Sequence, residues 1–236
     1  MIPHVIFQTH KTQDYIDKKQ KIKKAQESWK KHSDFTYHFY DDNACEKFMR
    51  EDIGGDTYKA YVKCPLAVMK ADLWRYCIIH KYGGIYADMD TIAIKSPKEW
   101  ISGKEHSQLI MTPENETHFC QWVFAAPKGS KVLNEVIELA VRKLLNADKF
   151  DSPHFVHEFT GPGAFTTGIL DYIKKNKLPM YTENKYDYIN YVMKDHLYVY
   201  NNFEFHGKDN MVQHLFTGQD PDGWCNERNI YTNSIK

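Results

Sequence analysis

The sequence predicts an α/β domain built around a largely parallel sheet, and two observations lead to that fold class. Short apolar segments of strand length alternate with longer segments of helical periodicity, which is typical of strands joined by crossover helices. The 236 residues are 42% apolar and 26% charged, which is enough for a well-buried core. Ligands of such sheets gather at the carboxyl ends of the strands, and Asp88 and Asp90 lie in the C-terminal half of one predicted strand.

The first half of the chain contains three predicted strands and two predicted helices. HVIF is short and apolar, FTYHFY alternates bulky residues before the polar Asp41-Asp42-Asn43, and Gly83-Gly84 is a normal signal for the end of a helix. The predicted strands are His4–Phe7, Phe35–Tyr40 and Ile85–Ile94, and the predicted helices are Tyr15–His32 and Cys64–Tyr82.

The second half continues the alternation. QLIMTP and WVFAAP have the length and apolar character of strands, whereas the run that starts at Val132 has an amphipathic helical pattern. The predicted strands are Gln108–Pro113, Trp122–Pro127 and Leu197–Asn201, and the predicted helices are Val132–Leu145 and a segment near Thr167–Lys174.

The helix Tyr15–His32 is strongly basic, with seven lysines against one glutamate in the stretch Lys18–Lys31. Its apolar residues Ile22, Ala25 and Trp29 recur at helical spacing, so one interpretation is a solvated face above a core stripe. The other is a peripheral membrane contact, because basic amphipathic helices bind anionic lipid. The formal net charge of zero argues against nucleic acid as the main partner.

The sequence also bears on location. No stretch approaches the roughly 18 consecutive apolar residues that a membrane span needs. The opening MIPHVIFQTHK reads as a strand and not as a signal peptide, and the five scattered cysteines fit reduced thiols. We therefore expect a soluble, cytoplasmic protein.

The helix PLAVMKADLWRYCIIHKY is apolar around most of its circumference, so it is predicted to be buried. Asp72 and Arg75 lie three residues apart and therefore on one face of it. Buried charges are costly unless they pair or face a polar site. The two residues are therefore either a structural ion pair or a carboxylate and a guanidinium directed at a polyhydroxylated or phosphorylated ligand.

The next segment, GGIYADMDTIAI, contains an Asp-x-Asp pattern. A continuous strand there would place Tyr86, Asp88 and Asp90 on one face. Two such carboxylates can share Mg²⁺ or Mn²⁺, whose other positions go to water and phosphate oxygens. A second Asp-x-Asp, Asp220-Pro221-Asp222, lacks this setting because its proline and the following glycine indicate a loop.

Several common catalytic motifs are absent from the sequence. It contains no G-x-x-x-x-G-K-[ST], G-x-G-x-x-G, G-x-S-x-G or His-Glu-x-x-His, and neither Asp-x-Asp continues as an EF-hand loop. A glycosidase would need two carboxylates facing each other across a sugar, which spacing alone does not show, so that alternative stays open.

The stretch ADLWRYCIIHKYGGIYADMDT, from Ala71 to Thr91, resembles the family 32 glycosyltransferases, whose sugar-binding region carries a DXD motif. Further segments resemble landmarks of that family in the expected order, namely IPHVIFQTHKT, SWKKHSDFTYHFYDD, NETHFCQWVFAAPKGSKVL, TGPGAFT and MVQHLFTG. The resemblance therefore covers nearly the whole chain. Relatives commonly have Gly-Ser-Trp after the last histidine, whereas here Gly218 is followed by a different loop, Gln219–Trp224.

The resemblance implies a GT-A fold, in which a Rossmann-like, mostly parallel sheet flanked by helices joins a smaller acceptor-binding part. Residues 1–236 would then form a single domain, with about 1–110 binding the nucleotide sugar and the metal and about 111–236 binding the acceptor and closing the site. The implied activity is metal-dependent transfer of a hexose, with retention at the anomeric carbon, from a nucleotide diphosphate sugar. The donor would be a UDP-hexose or GDP-mannose, and the acceptor a glycan or glycolipid.

The resemblance also implies roles for the charged residues. Asp88 and Asp90 would bind Mn²⁺ or Mg²⁺, with Asp90 the direct ligand and Asp88 acting through water or a ribose hydroxyl. His214 would reach the metal or the diphosphate. Asp72 would accept hydrogen bonds from hydroxyls of the donor sugar, and Arg75 would hold the sugar or a phosphate.

Donor binding is expected to involve the opening strand as well. Phe7 would lie against the base, with Gln8 and Thr9 beside it. Tyr86, on the predicted face of the two aspartates, completes the set that we expect to bind the nucleotide sugar together with Asp72, Arg75 and Asp88.

Two other functions fit fewer of these features. A catalytically silent sugar or nucleotide-sugar binding module would explain the altered loop Gln219–Trp224. A metal-dependent nucleotide phosphohydrolase would use the aspartate pair alone. The intact set of Asp72, Arg75, Asp88 and Asp90, to which we assign catalytic roles, favours the glycosyltransferase.

Overall fold

The computed structural model describes residues 1–115, 117–178, 192–193, 197–200 and 205–235. Its strands are β1 Val5–Thr9, β2 Thr36–Tyr40, β3 Gly84–Ala87, β4 Thr91–Ala93, β5 Leu109–Met111, β6 Val123–Ala126, β7 Val192–Met193, β8 Leu197–Val199 and β9 Val212–His214. They form a seven-stranded sheet in the order β2-β1-β3-β6-β5-β8-β7 and a two-stranded sheet, β4-β9.

Helices cover both faces of the larger sheet. Their bounds are α1 Gln13–Lys18, α2 Gln20–Lys30, α3 Asp42–Phe48, α4 Gly55–Lys63, α5 Ala67–Tyr82, α6 Pro97–Ile101, α7 Lys131–Asn146, α8 Phe155–Phe159, α9 Pro162–Lys175 and α10 Trp224–Ser234. A π-helical turn, Met49–Ile53, joins α3 to α4, and a 3₁₀ turn, Thr217–Gln219, precedes α10. Among the described helices, none combines the length and the apolar character that crossing a bilayer requires.

The larger sheet is mixed and mostly parallel, which confirms the predicted α/β class. Strands β2, β1, β3, β5 and β8 run in one direction, whereas β6 and β7 run in the opposite direction. The five parallel strands therefore end at one edge of the sheet, which we call the carboxyl edge.

Side chains of the sheet alternate between two cores. Phe7, Tyr86 and Phe124 face a core formed with α4, α5, α7, α8 and α9. Ile6 and Ile85 face a second core, to which α2 and α6 contribute Trp29 and Trp100. This alternation is the period-2 pattern of a sheet that is buried on both faces.

The predicted basic helix Tyr15–His32 is two helices. The chain breaks at Lys19, whose backbone is extended (φ −111°, ψ 92°), between α1 and α2. Ile22, Ala25 and Trp29 are buried, as the core-stripe interpretation predicts. The contact of this surface with a membrane stays a prediction.

The predicted strand Ile85–Ile94 is also two elements, and they belong to different sheets. Strand β3 ends at Ala87, and residues 88–90 turn before β4 begins. The N–H and hydroxyl of Thr91 both donate to the Asp88 carbonyl, at 3.1 and 2.6 Å, and close the turn. The split occurs because β4 pairs with β9, and Trp29 of α2 donates its indole N–H to the Thr91 carbonyl at 2.9 Å.

Other elements differ from the sequence prediction. The helix expected near Thr167–Lys174 begins earlier, at Pro162, and the late strand is Leu197–Val199, with Asn201 outside the described residues. The sequence did not predict α3, α4, α6, α8, β9 or α10. Asp220-Pro221-Asp222 lies in a loop, as predicted.

Candidate active site

Polar residues meet at the carboxyl edge. Asp88 follows β3, and Glu114 lies three residues beyond the end of β5. The Asp88 N–H donates to the Trp122 carbonyl at 2.7 Å, which brings the residue before the antiparallel β6 to the same edge. This is the position at which open α/β sheets bind ligands.

Asp88, Asp90 and His214 form one cluster at this edge. A ligand atom from each residue lies within 4.8 Å of the others. The two aspartates belong to the turn after β3, whereas His214 ends β9 and pairs with Thr91 of β4. The small second sheet is therefore what brings the predicted metal-binding histidine to the two aspartates.

Asp90 is held by the segment that follows β9. Its Oδ2 accepts hydrogen bonds from the N–H and the hydroxyl of Thr217, both at 2.9 Å, and its Oδ1 lies 3.6 Å from His214 Nε2. The Phe216 N–H donates to His214 Nδ1 at 2.8 Å, which assigns the proton of a neutral ring to Nε2. In this form Nε2 can donate a hydrogen bond to a diphosphate oxygen. Coordination of a metal through Nε2 would instead require the ring proton on Nδ1, and the hydrogen bond from the Phe216 N–H would be lost.

Arg75 joins two carboxylates from different elements. Its Nη2 lies 2.8 Å from Asp72 Oδ1, and its Nη1 lies 3.2 Å from Asp88 Oδ1. The guanidinium also sits over the ring of Tyr86, 4.7 Å from the ring centroid. Because Arg75 is only 4% exposed, these contacts are made in an interior where charge pairing is strong.

Asp72 is 1% exposed, and protein donors occupy both of its carboxylate oxygens. Besides Arg75, Gln121 Nε2 donates to Oδ1 at 3.1 Å and the Thr160 hydroxyl donates to Oδ2 at 2.9 Å. Burial raises the pKa of Asp72 to about 6, against the opposing effect of Arg75. The geometry is that of the structural ion pair, one of the two interpretations of the sequence, and contact with a donor sugar stays a prediction.

Asp88 is positioned at both its backbone and its side chain. Gln8 Nε2 donates to its carbonyl at 3.0 Å, and the Tyr86 hydroxyl donates to its Oδ1. Burial raises the pKa of Asp88, and Arg75 acts in the opposite direction. Gln8 and Tyr86 are buried and act on Asp88 here, so their expected contacts with a nucleotide sugar stay predictions.

Phe7 lies in the core. Strand alternation turns its ring into the core, where it is 3% exposed and stacks on His38 and Tyr82 at 5.4 and 6.1 Å. The ring is covered in this structure, so its contact with a nucleotide base stays a prediction. Thr9, two residues along the same strand, has its hydroxyl 3.1 Å from the Cys45 sulfur.

Four residues that the sequence did not single out complete these contacts. Gln121 and Thr160 hold Asp72, Thr217 holds Asp90, and the ring of Trp122 lies 4.6 Å from the ring of His214. Trp122 opens the predicted strand Trp122–Pro127 and Gln121 directly precedes it, but that local pattern gave neither residue a role in the site. Thr160 and Thr217 lie 88 and 127 residues from their partners, beyond the reach of any local pattern.

Comparison with known proteins identifies the family. A sequence model described as the glycosyltransferase sugar-binding region containing the DXD motif matches residues 19–107. The uncharacterized glycosyltransferase L373 of Acanthamoeba polyphaga mimivirus is 31% identical over 177 residues, covering 75% of this chain and 68% of that protein. The chain belongs to this glycosyltransferase family.

Longer relatives of this chain include the initiation-specific alpha-1,6-mannosyltransferase of Schizosaccharomyces pombe. It is 30% identical over 208 residues, which is 78% of this chain and 52% of the relative. The corresponding protein of Candida albicans is 27% identical over 212 residues, with 53% of its length covered. The chain spans about half the length of these curated relatives.

A solved structure supports the fold. The PaToxG glycosyltransferase superposes with a TM-score of 0.56 over 73% of this chain and 70% of its own, at 19% identity. At that identity the likeness concerns the fold alone, which is the GT-A fold expected from the sequence.

Proposed function

We propose that this chain is a metal-dependent, retaining glycosyltransferase that moves a hexose from a nucleotide diphosphate sugar to a glycan or glycolipid. One observation carries the proposal. Asp88, Asp90 and His214 present ligand atoms within 4.8 Å of one another, in a family named for its DXD-containing sugar-binding region. The named mannosyltransferases among the relatives make GDP-mannose the first donor to test, ahead of UDP-hexoses.

The donor set fits a divalent cation. Two carboxylates suit Mn²⁺ or Mg²⁺, and an imidazole nitrogen favours Mn²⁺ because Mg²⁺ prefers oxygen ligands. Asp90 would be the direct ligand, Asp88 a ligand directly or through water, and His214 a third ligand or a donor to the diphosphate. When bound, the cation would neutralise the charge that develops on the diphosphate leaving group.

The remaining residues hold and orient this set. Arg75 fixes Asp88 and brings a buried positive charge close to the proposed diphosphate position. We assign Asp72 a positioning role through Arg75, in place of the direct sugar contact that the sequence predicts. Thr217 holds Asp90 from the other side.

We infer a displacement on one face of the sugar. The bond between the anomeric carbon and the diphosphate oxygen breaks, the bond to the acceptor oxygen forms on the same face, and the acceptor proton passes to the leaving phosphate. A charge-neutralised, water-poor site favours such a step because it stabilises the departing diphosphate.

A donor panel tests the activity. The protein would be incubated with UDP-glucose, UDP-galactose, UDP-N-acetylhexosamines and GDP-mannose, in MnCl₂ or in EDTA. We expect slow, metal-dependent release of the nucleotide diphosphate and free sugar, and NMR of a transfer product would report retention. Tight binding without turnover even with acceptors would favour a silent binding module, and release of phosphate without sugar would favour a phosphohydrolase.

The variant Asp90→Ala tests the metal assignment. Turnover is expected to fall by about 100-fold or more. The metal-free variant should stay folded and lose about 1 to 3 kcal/mol of unfolding free energy, because the two hydrogen bonds from Thr217 lose their acceptor. The matched control is Asp220→Ala in the second Asp-x-Asp, which should keep wild-type turnover. Near-normal turnover of Asp90→Ala would show that the metal assignment is wrong.

A further inference from the structure

Several buried polar atoms make no hydrogen bond in the described part of the chain, among them both ring nitrogens of His206, and two more belong to residues near the Asp88/Asp90/His214 cluster. These two are Oε2 of Glu114, a carboxylate oxygen, and Nε1 of Trp122, an indole N–H donor. Buried polar groups nearly always have a partner, because leaving them unpaired forfeits their hydration without compensation. A pair of such atoms, one an acceptor and one a donor, indicates a place where a ligand supplies the missing bonds.

Both residues lie at the carboxyl edge, next to the ends of two neighbouring antiparallel strands. Glu114 follows β5 and Trp122 precedes β6, and these strands pair through Ile110 and Ala125. Burial raises the pKa of Glu114 to about 7, and the Asp88 carboxylate acts in the same direction. Glu114 is half-buried, its Oε2 is shielded from solvent, and the charge of Asp88 acts on it.

Trp122 provides the connection to His214. Its ring lies 4.6 Å from the ring of His214 and 4.4 Å from that of His206, and the residue is 7% exposed. Burial lowers the pKa of His206 to about 4. The Pro113 backbone, next to Glu114, acts in the opposite direction and raises that pKa. His206 therefore lies beside the Trp122 ring, and burial favours its neutral form.

This combination has the chemistry of carbohydrate recognition. A sugar ring presents apolar C–H faces and a rim of hydroxyl groups, each of which can donate and accept a hydrogen bond. An aromatic ring with a polar tip packs against the first and binds the second, and a carboxylate accepts from hydroxyls with a strong, charge-assisted bond. Few convergent polar groups in an otherwise apolar lining are typical of small-ligand sites.

We propose that Glu114 and Trp122 form a hexose-binding subsite beside the Asp88/Asp90/His214 cluster, an inference that rests on the proposed function. Glu114 accepts a hydrogen bond from a sugar hydroxyl, and Trp122 donates one from its indole N–H. The bound hexose is either the sugar of the donor or the sugar of the acceptor, which present the same chemistry.

The test uses Glu114→Gln and Trp122→Phe in the full chain. At pH 8, where the Glu114 carboxyl is ionised, the first removes the charge at constant shape, and the second keeps a ring but removes the N–H donor. Calorimetry with Mn²⁺ compares GDP-mannose, or whichever panel donor the wild type hydrolyses, with the corresponding nucleotide diphosphate. Acceptor binding is measured as the KM for methyl α-mannopyranoside, and thermal unfolding checks that each variant folds.

A subsite for the donor sugar predicts a loss of nucleotide-sugar affinity of about 10-fold or more for Glu114→Gln, and about 3- to 10-fold for Trp122→Phe. Affinity for the nucleotide diphosphate would not change. A subsite for the acceptor sugar predicts unchanged donor affinity and acceptor-free hydrolysis, with the KM for methyl α-mannopyranoside raised by similar factors. Either pattern supports the proposal.

The matched control is Trp100→Phe. Trp100 is fully buried in α6, and its indole N–H also lacks a partner in the described residues, but its ring packs against Phe205 in the core. The Trp100→Phe protein should have the same thermal unfolding as Trp122→Phe, but wild-type affinity for the nucleotide sugar and a wild-type KM for methyl α-mannopyranoside. The proposal would be overturned if the wild type is active and the Glu114 and Trp122 variants show the same nucleotide-sugar affinity and acceptor KM as this control. A wild type that binds no nucleotide sugar would overturn the proposed function, and this inference with it.

Discussion

Arg75 pairs with two carboxylates that reach it from different elements, Asp72 on α5 and Asp88 after β3. A guanidinium presents its donors in a rigid planar fork, so this double pairing fixes Asp88 relative to α5. Asp72 meanwhile accepts from Gln121 and Thr160, so its oxygens are already satisfied. The chemistry of Asp88 therefore depends on a residue that need not touch the substrate.

The variant Asp72→Asn separates positioning from direct substrate contact. It removes a negative charge at nearly constant volume, which leaves the buried guanidinium with Asp88 as its remaining anionic partner. We expect the free energy of unfolding, measured in urea, to fall by about 3 kcal/mol, with turnover falling as well. Thr160→Val removes only a neutral donor and should cost about 1 kcal/mol. An Asp72→Asn protein with wild-type stability and no turnover would instead support the direct sugar contact predicted from the sequence.

At the scale of single residues, the sequence predicted what local spacing determines. Asp72 and Arg75 are three residues apart on a helix, so their common face and their pairing followed from the helical repeat. Gln121 and Thr160 lie 49 and 88 residues from Asp72, and only the folded chain brings them together. The burial of Phe7 was not predicted, because the sequence did not show which face of β1 the core covers.

Among the elements, the junction between α5 and β3 is tightly packed around glycine. Gly83 has φ +72°, and a Cβ there would lie 2.5 Å from the Lys128 backbone nitrogen and 2.7 Å from Pro3 Cδ. Neither neighbour is a flexible side-chain end. Strand β3 leads from this junction to Tyr86 and the Asp88–Asp90 turn, so a shift at Gly83 would displace residues of the candidate site.

The variant Gly83→Ala is expected to destabilise the protein by about 3 kcal/mol, from backbone strain and steric overlap together. Gly129→Ala is the matched control, because Gly129 has φ +70° but nothing lies within 4 Å of the position that a Cβ would take. The control should lose only the cost of the left-handed conformation, about 1 kcal/mol. Equal losses in urea unfolding would contradict the steric part of the prediction.

Element boundaries were the least predictable feature from the sequence, for a physical reason. The alternation of Ile85, Tyr86 and Ala87 continues unbroken through residues 88–90, so no local signal marks the end of β3. The boundary depends on the pairing of β4 with β9, which lies more than a hundred residues later. The break at Lys19 likewise has no local signal, because neither glycine nor proline lies near it in the sequence.

Over the whole molecule, the order of strands and helices was sufficient to predict the α/β class. The return of the C-terminal segment to the start of the chain was not predictable. Tyr15 donates its hydroxyl to Asp222 at 2.7 Å, and Lys11 Nζ lies 3.2 Å from Glu227 Oε1, both on the surface. These contacts, with Thr217 on Asp90, make the candidate site a product of both ends of the described chain.

The dependence of global stability on pH provides a whole-molecule test of the buried carboxyl at position 114. Its pKa rises from 4.5 to about 7 on folding, so between these values the folded state holds a proton that the unfolded state has lost. The stability contributed by that proton is fully present below pH 4.5 and is lost as pH rises through 7. Half-buried His10 and His206 act oppositely, because their pKa values fall to about 4 and their contribution to stability grows as pH rises from 4 to 6.5.

Comparing the wild type with Glu114→Gln cancels the histidine contributions. Relative to the variant, the wild type is expected to lose about 2 kcal/mol of unfolding free energy between pH 5 and pH 8, measured in urea without metal. Glu105→Gln, at a surface carboxylate, should follow the wild type over this range, because folding lowers the pKa of Glu105 and leaves it ionised throughout. If the difference in unfolding free energy between wild type and Glu114→Gln does not change with pH, the Glu114 carboxyl is solvated. The inference that it is desolvated at the carboxyl edge would then be wrong.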